Sequence, residues 1–389
     1  MIYFKKKKKG KKFIFHKLYK WSILLLLFEL NYFFSFLNKY FFKDINKKNK
    51  YFSKFYKLKL KYSNKPFLKS FLDNISIISY DYINLVENKN YIHISMSLNN
   101  NYIYQMLVSM ESALKNCDKN KTRIVYHILC SFDLKKDNLQ KLKSLLKKYP
   151  SNLEIIFYNM SNSFIHVKNK HHSQAAYYRL LTPLFIPIKK IIHLDCDTLI
   201  LKDIREMYQI PFNNNYILGN LDVISHAIDY LGIKSNKYIN SGVVLINLDK
   251  IRKDNKYFDL IKMAEYHQDL RHVDQTVINY VLYPYIGILP FKYGILSFQS
   301  KIDIENKYIK LIRQKINVKD ILKAFEDPSI IHLVLCVPKP WYKNSKFTSA
   351  YTMCRKIHDC SCTKYHNLWH EYAKSTYYYN EILDSLIKK

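Results

Sequence analysis

Two aspartates stand directly after an apolar run near the middle of the chain. Residues 191–194 read as a buried strand, and Asp195-Cys196-Asp197 follows it. Buried carboxylates are costly unless a positive group meets them. The pair would share one face if the strand continued through it, and at a strand end it could hold one cation from two sides. A divalent cation shared with a substrate diphosphate would satisfy both carboxylates. The alternative is a pair of aspartates that only caps the next turn.

A histidine and a lysine near the C-terminal side could complete such a site. His332 lies in the apolar strand pattern 330–333, and Lys339 stands before Pro340-Trp341. The histidine could be a third metal ligand and the lysine could pair with a diphosphate, or they are a core histidine and a surface lysine. The six glycines form neither a dinucleotide-binding glycine motif nor a P-loop, so phosphates would need side chains and a metal.

Two further segments carry polar residues where the pattern favours apolar ones. Asn240-Ser241 stands at the expected start of the strand 243–247, beside a glycine that permits close backbone approach. Asp274-Gln275 opens the helical pattern 277–282. The helix dipole alone would explain the aspartate, whereas the amide of Gln275 could hold a sugar hydroxyl.

The elements that would position these residues alternate between strand and helix from about residue 91. The expected strands are 91–96, 123–129 and 153–158, and the expected helices are 102–115 and 137–148. This alternation predicts an α/β fold with a mostly parallel sheet flanked by helices. Ligands of such sheets gather at the carboxyl ends of the strands, where the aspartate pair is expected.

The first 70 residues differ from the rest and form a predicted basic N-terminal extension, with the catalytic domain at 71–389. They hold 20 lysines and two acids, so +18 of the net charge of +32 lies there. The apolar stretch 21–37 is at the lower limit for a spanning helix. A basic, aromatic-rich segment of this kind predicts membrane association through residues 1–50, either on an anionic surface or as a short anchor.

The basic charge does not indicate a nucleic-acid partner. Only 7 of the 63 basic residues are arginine, the residue that sequence-specific readers use for bidentate base contacts. Zinc-finger spacing, basic-region heptads and aromatic RNA-binding signatures are absent from the sequence. We therefore expect no nucleic-acid binding.

In their order along residues 90–385, these segments resemble glycosyltransferase family 8, the group of glycogenin and the bacterial lipopolysaccharide galactosyl- and glucosyltransferases. Two departures from the family pattern stand out, namely Asn99 in place of an acid and Leu335-Cys336 in place of a glycine. The resemblance is carried by Asn99-Asn100-Asn101-Tyr102, Ala175-Ala176-Tyr177-Tyr178-Arg179-Leu180, Asp195-Cys196-Asp197, Asn240-Ser241-Gly242, Asp274-Gln275 and His332 with Lys339-Pro340-Trp341.

The resemblance implies a GT-A type fold and a retaining, metal-dependent transfer of a hexose from a nucleotide sugar, with UDP-glucose or UDP-galactose as the expected donor. The expected acceptor is a glycan or glycolipid of surface polysaccharide or lipopolysaccharide synthesis. Asp274 and Gln275 are implied at the reaction centre. The implied ligands of the divalent metal, Mn²⁺ or Mg²⁺, are Asp195, Asp197 and His332. The implied donor-binding residues are Ser97, Asn99, Asn101, Arg179, Asn240, Ser241 and Lys339.

Two other classes stay open at this point. A metal-dependent nucleotidyltransferase would also place paired aspartates at a strand end, but it would need a glycine-rich phosphate loop. A non-catalytic, basic membrane-surface protein would explain the N-terminus and leave the ordered polar motifs without a purpose.

Lysine-rich flanks favour the cytoplasmic face of a membrane for a bacterial protein, whereas a eukaryotic source would allow a single-pass anchor with a lumenal catalytic domain.

Overall fold

The computed structural model describes the part of the chain that carries the predicted motifs. The described residues are 76–77, 91–131, 133–160, 163–164, 167, 174–222, 237–266, 272–296, 318–334, 339–341 and 361–387. The predicted N-terminal segment 1–70, and its boundary with the catalytic domain, lie outside these residues. Among the described residues, no helix is long and apolar enough to cross a bilayer.

The described residues form eleven strands. They are β1 Ser76–Ile77, β2 Tyr91–Leu98, β3 Arg123–Cys130, β4 Leu153–Asn159, β5 Ile191–Leu194, β6 Thr198–Ile200, β7 Ile217–Leu221, β8 Ile239–Ile246, β9 Ile286–Ile288, β10 Tyr293–Leu296 and β11 Ile330–His332.

The α-helices in the same part of the chain are α1 Ile103–Asn116, α2 Lys136–Lys148, α3 Thr182–Phe185, α4 Arg205–Gln209, α5 Leu248–Lys253, α6 Lys256–Tyr266, α7 Val273–Leu282, α8 Val318–Glu326, α9 Ser361–Ser375 and α10 Tyr379–Ile387. Two 3-10 helices span Asn100–Tyr102 and Gln174–Leu181.

The main sheet has the strand order β1-β4-β3-β2-β5-β8-β7-β9. The pairs β4-β3, β3-β2, β2-β5 and β7-β9 are parallel, and the pairs with β1 and β8 are antiparallel. Strands β2, β3 and β4 are buried along nearly their whole length, as expected for parallel strands covered on both faces. The predicted α/β fold with a mostly parallel sheet flanked by helices is confirmed.

A second sheet has the order β10-β11-β6. The chain passes from the main sheet into this one immediately after β5, because β6 begins three residues after Asp195. The possibility that the predicted strand 191–194 continues through the aspartates is therefore wrong, because β5 ends at Leu194 and Cys196-Asp197 forms a turn. Asp195 and Asp197 both lie in the three-residue segment between β5 and β6.

An apolar cluster fixes the second sheet and the chain that follows it. Its buried members come from α1, β6, β11, the segment after β11 and the C-terminal helices: Val108, Leu199, Ile331, Leu333, Trp341, Tyr365, Trp369, Ala373 and Ile382. The indole rings of Trp341 and Trp369 lie 5.7 Å apart, centroid to centroid. This packing anchors the strand that ends at His332 and the residues around Lys339.

Candidate active site

The aspartate pair and His332 meet where the two sheets join. The Asp195 N–H donates to the Gly242 carbonyl at 2.8 Å, and the Leu333 N–H donates to the Asp197 carbonyl at 2.8 Å. Strands β6 and β11 pair antiparallel with His332 opposite Thr198, which places the imidazole beside the turn. His332 Nε2 lies 3.1 Å from Asp197 Oδ1 and 3.6 Å from Asp195 Oδ2. One ligand atom from each of the three residues lies within 4.8 Å of the others.

Gly242 on β8 makes room for this cluster. A Cβ atom at this position would lie 2.1 Å from His332 Cε1 and 2.7 Å from Asp195 Oδ2. Real Cβ atoms do not approach other atoms so closely. The imidazole therefore rests against bare backbone, and the strand needs glycine here for close approach.

The hydrogen bonds of Asn240 determine which nitrogen of His332 carries a proton. The Gly242 N–H donates to Asn240 Oδ1 at 3.0 Å, which identifies that atom as the amide oxygen. His332 Nδ1 lies 3.0 Å from the same oxygen, so Nδ1 must be the donor. In the neutral ring Nε2 then carries the lone pair. A lone pair facing two carboxylate oxygens is repulsive unless a proton or a metal cation lies between them.

Gln275 on α7 holds the Asn240 side chain, which in turn holds His332. Its Oε1 accepts from Asn240 Nδ2 and from the Ser241 N–H, each at 3.2 Å. Its Nε2 donates to Asp222 Oδ2 at 2.8 Å. The donors therefore run in one direction from His332 through Asn240 and Gln275 to the Asp222 carboxylate. The amide predicted to hold a sugar hydroxyl is engaged within the protein.

Asp222 was not among the predicted site residues. It directly follows β7, as Asp195 directly follows β5, and it is 9% exposed. The rule that singled out Asp195, an acid immediately after a buried strand, would also have found it.

Arg179 joins the carboxylate pair to Asp274. It projects from the 3-10 helix Gln174–Leu181 and is 5% exposed. Its guanidinium donates to Asp195 Oδ1 at 2.5 Å and to the Ser241 carbonyl at 2.6 Å, and its Nε lies 3.2 Å from Asp274 Oδ2. Burial alone would lower the pKa of Arg179, but Asp195 and Asp274 raise it, so the group stays charged.

Asp274 is a buried acid with an unusual backbone beside it. Burial raises its pKa to about 6, although Arg179 acts in the opposite direction. The preceding residue, Val273, has a φ of 35°. This region is rarely adopted by β-branched residues, and such strain collects at functional sites. Helix α7 thus presents Asp274 and Gln275 from a strained first turn.

Lys339 pairs with the second aspartate, Asp197. Its Nζ donates to Asp197 Oδ2 at 2.8 Å and also to the Leu333 carbonyl. The ammonium lies 5.2 Å from the centroid of the Trp341 ring, a cation–π contact. Burial alone would raise the pKa of Asp197, but the Lys339 ammonium holds it well below its usual value. Although the sequence places no basic residue beside the aspartates, the fold pairs each of them with one.

The predicted nucleotide-binding segment lies at the end of β2. Cys196 Sγ donates to the Ser97 carbonyl at 3.1 Å, so Ser97 adjoins the turn between the aspartates. Ser97 Oγ is buried and has no hydrogen-bond partner within the described residues. Asn99 Oδ1 accepts from the Asn101 N–H at 2.9 Å and caps the 3-10 turn. The roles of these three residues in donor binding stay predictions.

The donor set fits a divalent cation. Two carboxylates with a neutral imidazole nitrogen suit Mn²⁺, and Mg²⁺ accepts the carboxylates more readily than the imidazole. The Nε2 lone pair supports this fit, because no group of the described residues donates to it from the carboxylate side. Asp195, Asp197 and His332 are thus brought together as predicted, and Arg179, Lys339, Asn240, Ser241, Asp274 and Gln275 surround them.

Comparison with known proteins supports an enzyme of one family. The family model described as "Glycosyl transferase family 8" matches residues 93–345. General stress protein A of Bacillus subtilis is 27% identical over 245 residues, which cover 60% of this chain and 82% of that protein. Lipopolysaccharide 1,2-glucosyltransferase of Escherichia coli is 26% identical over 258 residues, which cover 62% and 71%.

A solved structure supports the fold. The galactosyltransferase LgtC in complex with donor and acceptor sugar analogues superposes with a TM-score of 0.57 at 18% identity. The match covers 74% of this chain and 96% of LgtC. The architecture is therefore of the GT-A type.

Proposed function

This chain belongs to glycosyl transferase family 8 and is a glycosyltransferase, and we propose that it transfers a hexose from a UDP-sugar to a glycan or glycolipid with retention of configuration. The proposal rests on one observation: two aspartates, a histidine with a fixed tautomer, and two cationic side chains converge where the sheets join. Paired carboxylates with cations on both sides suit a substrate diphosphate that brings a metal ion.

We assign the cation to Asp195, Asp197 and His332, with Mn²⁺ as the expected ion. Bound there, the cation would neutralise the diphosphate of the donor and stabilise its departure. The fixed tautomer of His332 keeps Nε2 available for coordination. Gly242 keeps the space that the imidazole occupies.

The cationic side chains serve the same leaving group. Lys339 is held against Trp341 and Asp197, so its ammonium lies beside the cation site before a donor arrives. Because Lys339 is already held beside the cation site, its charge needs little reorganisation as negative charge develops on the departing diphosphate. Arg179 supplies a second positive charge to the same leaving group. Arg179 is buried, and its guanidinium contacts four oxygen atoms, on Ala176, Ser241, Asp195 and Asp274.

Asp274 is the acid that we place at the reacting centre. It is 3% exposed and lies across Arg179 from Asp195. Its carboxylate, largely ionised at pH 7, would steady the positive charge that forms on the anomeric carbon. The departing diphosphate can itself accept the acceptor's proton, so the proposal needs no separate general base.

The acceptor class is proposed by analogy with a relative. The Escherichia coli enzyme named above is a lipopolysaccharide glucosyltransferase by name, and we extend a surface-glycan acceptor to this chain. We also propose that residues 1–70 hold the enzyme at a membrane surface, since their +18 charge and apolar stretch suit anionic lipid. The nucleotidyltransferase and non-catalytic alternatives lose support, because the family match covers the motifs in question.

A donor screen tests the proposed function. The purified full chain is incubated with Mn²⁺ and UDP-glucose, UDP-galactose or their N-acetylated forms, and UDP release is followed. We expect release from one hexose donor well above that of Asp197→Ala. If both proteins released UDP equally slowly from every donor, with and without saccharide acceptors, the proposed donor class would be wrong.

A further inference from the structure

A buried histidine lies behind Asp195. His193 is on β5, two residues before Asp195, and is fully buried. Its Nδ1 lies 2.9 Å from Ser95 Oγ on the neighbouring strand β2. Its Nε2 has no hydrogen-bond partner within the described residues and lies 3.9 Å from Asp195 Oδ1. One ring nitrogen is therefore held, and the other faces a carboxylate of the cation site.

The Ser95 hydroxyl indicates which nitrogen of His193 carries the proton. Besides His193, this hydroxyl has one acceptor within reach among the described residues, the Ile192 carbonyl at 3.5 Å. That distance is too long for a good hydrogen bond, so the hydroxyl donates to His193 Nδ1. Nε2 then carries the proton. A buried N–H group without an acceptor is uncommon, and this one lies about 1 Å beyond bonding distance of Asp195.

Asp195 Oδ1 is at present held by Arg179, whose guanidinium is 2.5 Å away. A donor diphosphate would compete for that guanidinium, because arginine forms strong, often bidentate, hydrogen bonds with phosphate oxygens. Asp195 would then lose its only charged hydrogen-bond donor on that side among the described residues. His193 Nε2 faces the same oxygen and is the nearest replacement.

We propose that His193 is a positioning residue of the cation site, whose Nε2–H group holds Asp195 Oδ1 when the donor diphosphate engages Arg179. The inference rests on the proposed function, since it needs a cation and a diphosphate at this site. Ser95 contributes to this role, because its hydroxyl donates to Nδ1 of His193 and so keeps the proton on Nε2. His193 itself touches neither substrate nor cation.

Two other buried histidines of the same sheet show what a purely structural role looks like. His93 Nδ1 and His127 Nε2 lie 3.0 Å apart, and His127 Nδ1 lies 2.9 Å from the Tyr158 hydroxyl. Both nitrogens of His127 thus have partners within the sheet. His193 differs because its unpaired nitrogen is directed at a site residue. His127 is therefore a matched control.

The test measures Mn²⁺ binding by electron paramagnetic resonance in the full chain, with saturating UDP. We expect His193→Phe to weaken Mn²⁺ binding about 10-fold, the lower end of effects seen for groups that orient metal ligands. His193→Gln can place an amide N–H near the same point and should remain within about 3-fold of the unmodified protein. His127→Phe should lower the melting temperature without changing Mn²⁺ affinity.

The outcomes separate this inference from the proposed function. If the unmodified chain binds Mn²⁺ with UDP and His193→Phe binds it equally well, the positioning role is wrong and the proposed function stands. If the unmodified chain does not bind Mn²⁺, the cation site itself is wrong. If His193→Phe does not fold, the comparison of His193→Gln and Ser95→Ala decides, because only Ser95→Ala should lose affinity.

Discussion

Replacing Gly242 by alanine is the sharpest test of the site geometry. The new Cβ atom would lie 2.1 Å from His332 Cε1 and 2.7 Å from both His332 Nδ1 and Asp195 Oδ2. Non-bonded carbon atoms settle at 3.5 Å or more, so the imidazole must move by roughly 1.4 Å or the strand must yield. Both affected side chains are proposed cation ligands, and the affected Nδ1 is bonded to Asn240.

The displacement of the His332 imidazole sets the expected loss of activity. A misplacement of about 1 Å can cost an enzyme on the order of 100-fold in rate, so we expect kcat/KM for the donor to fall about 100-fold. This fall corresponds to about 2.7 kcal/mol of transition-state stabilisation. Overpacking should cost about 1–3 kcal/mol of folding stability, so circular dichroism must first show that the variant is folded at the assay temperature.

Gly219→Ala is the matched control. Gly219 lies on β7, and its new Cβ would meet the apolar side chains of Ile239, at 2.7 Å, and Val244. We expect a lower melting temperature with kcat/KM and Mn²⁺ affinity within a few-fold of the unmodified enzyme. Unchanged kcat/KM and Mn²⁺ affinity in Gly242→Ala would refute the close packing of His332 against β8.

Three further predictions concern the surrounding groups. Asp274→Asn should lower kcat far more than it raises the donor KM. Because burial raises the pKa of Asp274 to about 6, the unmodified enzyme should lose kcat/KM as the pH falls below about 6. If the variant showed the same loss at low pH, Asp274 would not be the group that titrates. Asn240→Leu should weaken Mn²⁺ binding about 10- to 100-fold, whereas Asn240→Asp, which keeps an oxygen acceptor for His332, should lose much less by the same resonance assay. Deletion of residues 1–70 should move the protein from the membrane fraction to the soluble fraction with donor turnover intact, and a full-length chain that is soluble at low salt would contradict the anchor.

Local patterns in the sequence predict most of the fold. The apolar runs and helical periodicities place β2, β3, β4, α1 and α2 within two residues of their observed bounds. The reason is that parallel strands buried on both faces leave continuous apolar runs, and amphipathic helices leave a clear period. The rule that ligands gather at carboxyl strand ends then indicates the correct edge of the sheet for Asp195.

The pairing of side chains across the site could not be predicted in the same way. His332 and Asp197 are 135 residues apart, and the contact depends on the antiparallel pairing of β11 with β6. Arg179 and Lys339 neutralise the aspartates through contacts that no local pattern encodes. Hydrogen-bond direction is also invisible in sequence, so the bonds that join the Gln275 amide to Asn240, Ser241 and Asp222 could not be predicted. The place of Gln275 at the reaction centre stays a prediction.

We propose that Asp195, Asp197 and His332 hold a divalent cation that hexosyl transfer requires. The most direct measurement is the rate of UDP release from the preferred donor in excess chelator, followed by titration with Mn²⁺. We predict that chelation abolishes release, that Mn²⁺ restores it in the unmodified enzyme, and that Asp197→Ala stays folded but is not restored. Full activity in excess chelator would show that hexosyl transfer by this chain needs no divalent cation.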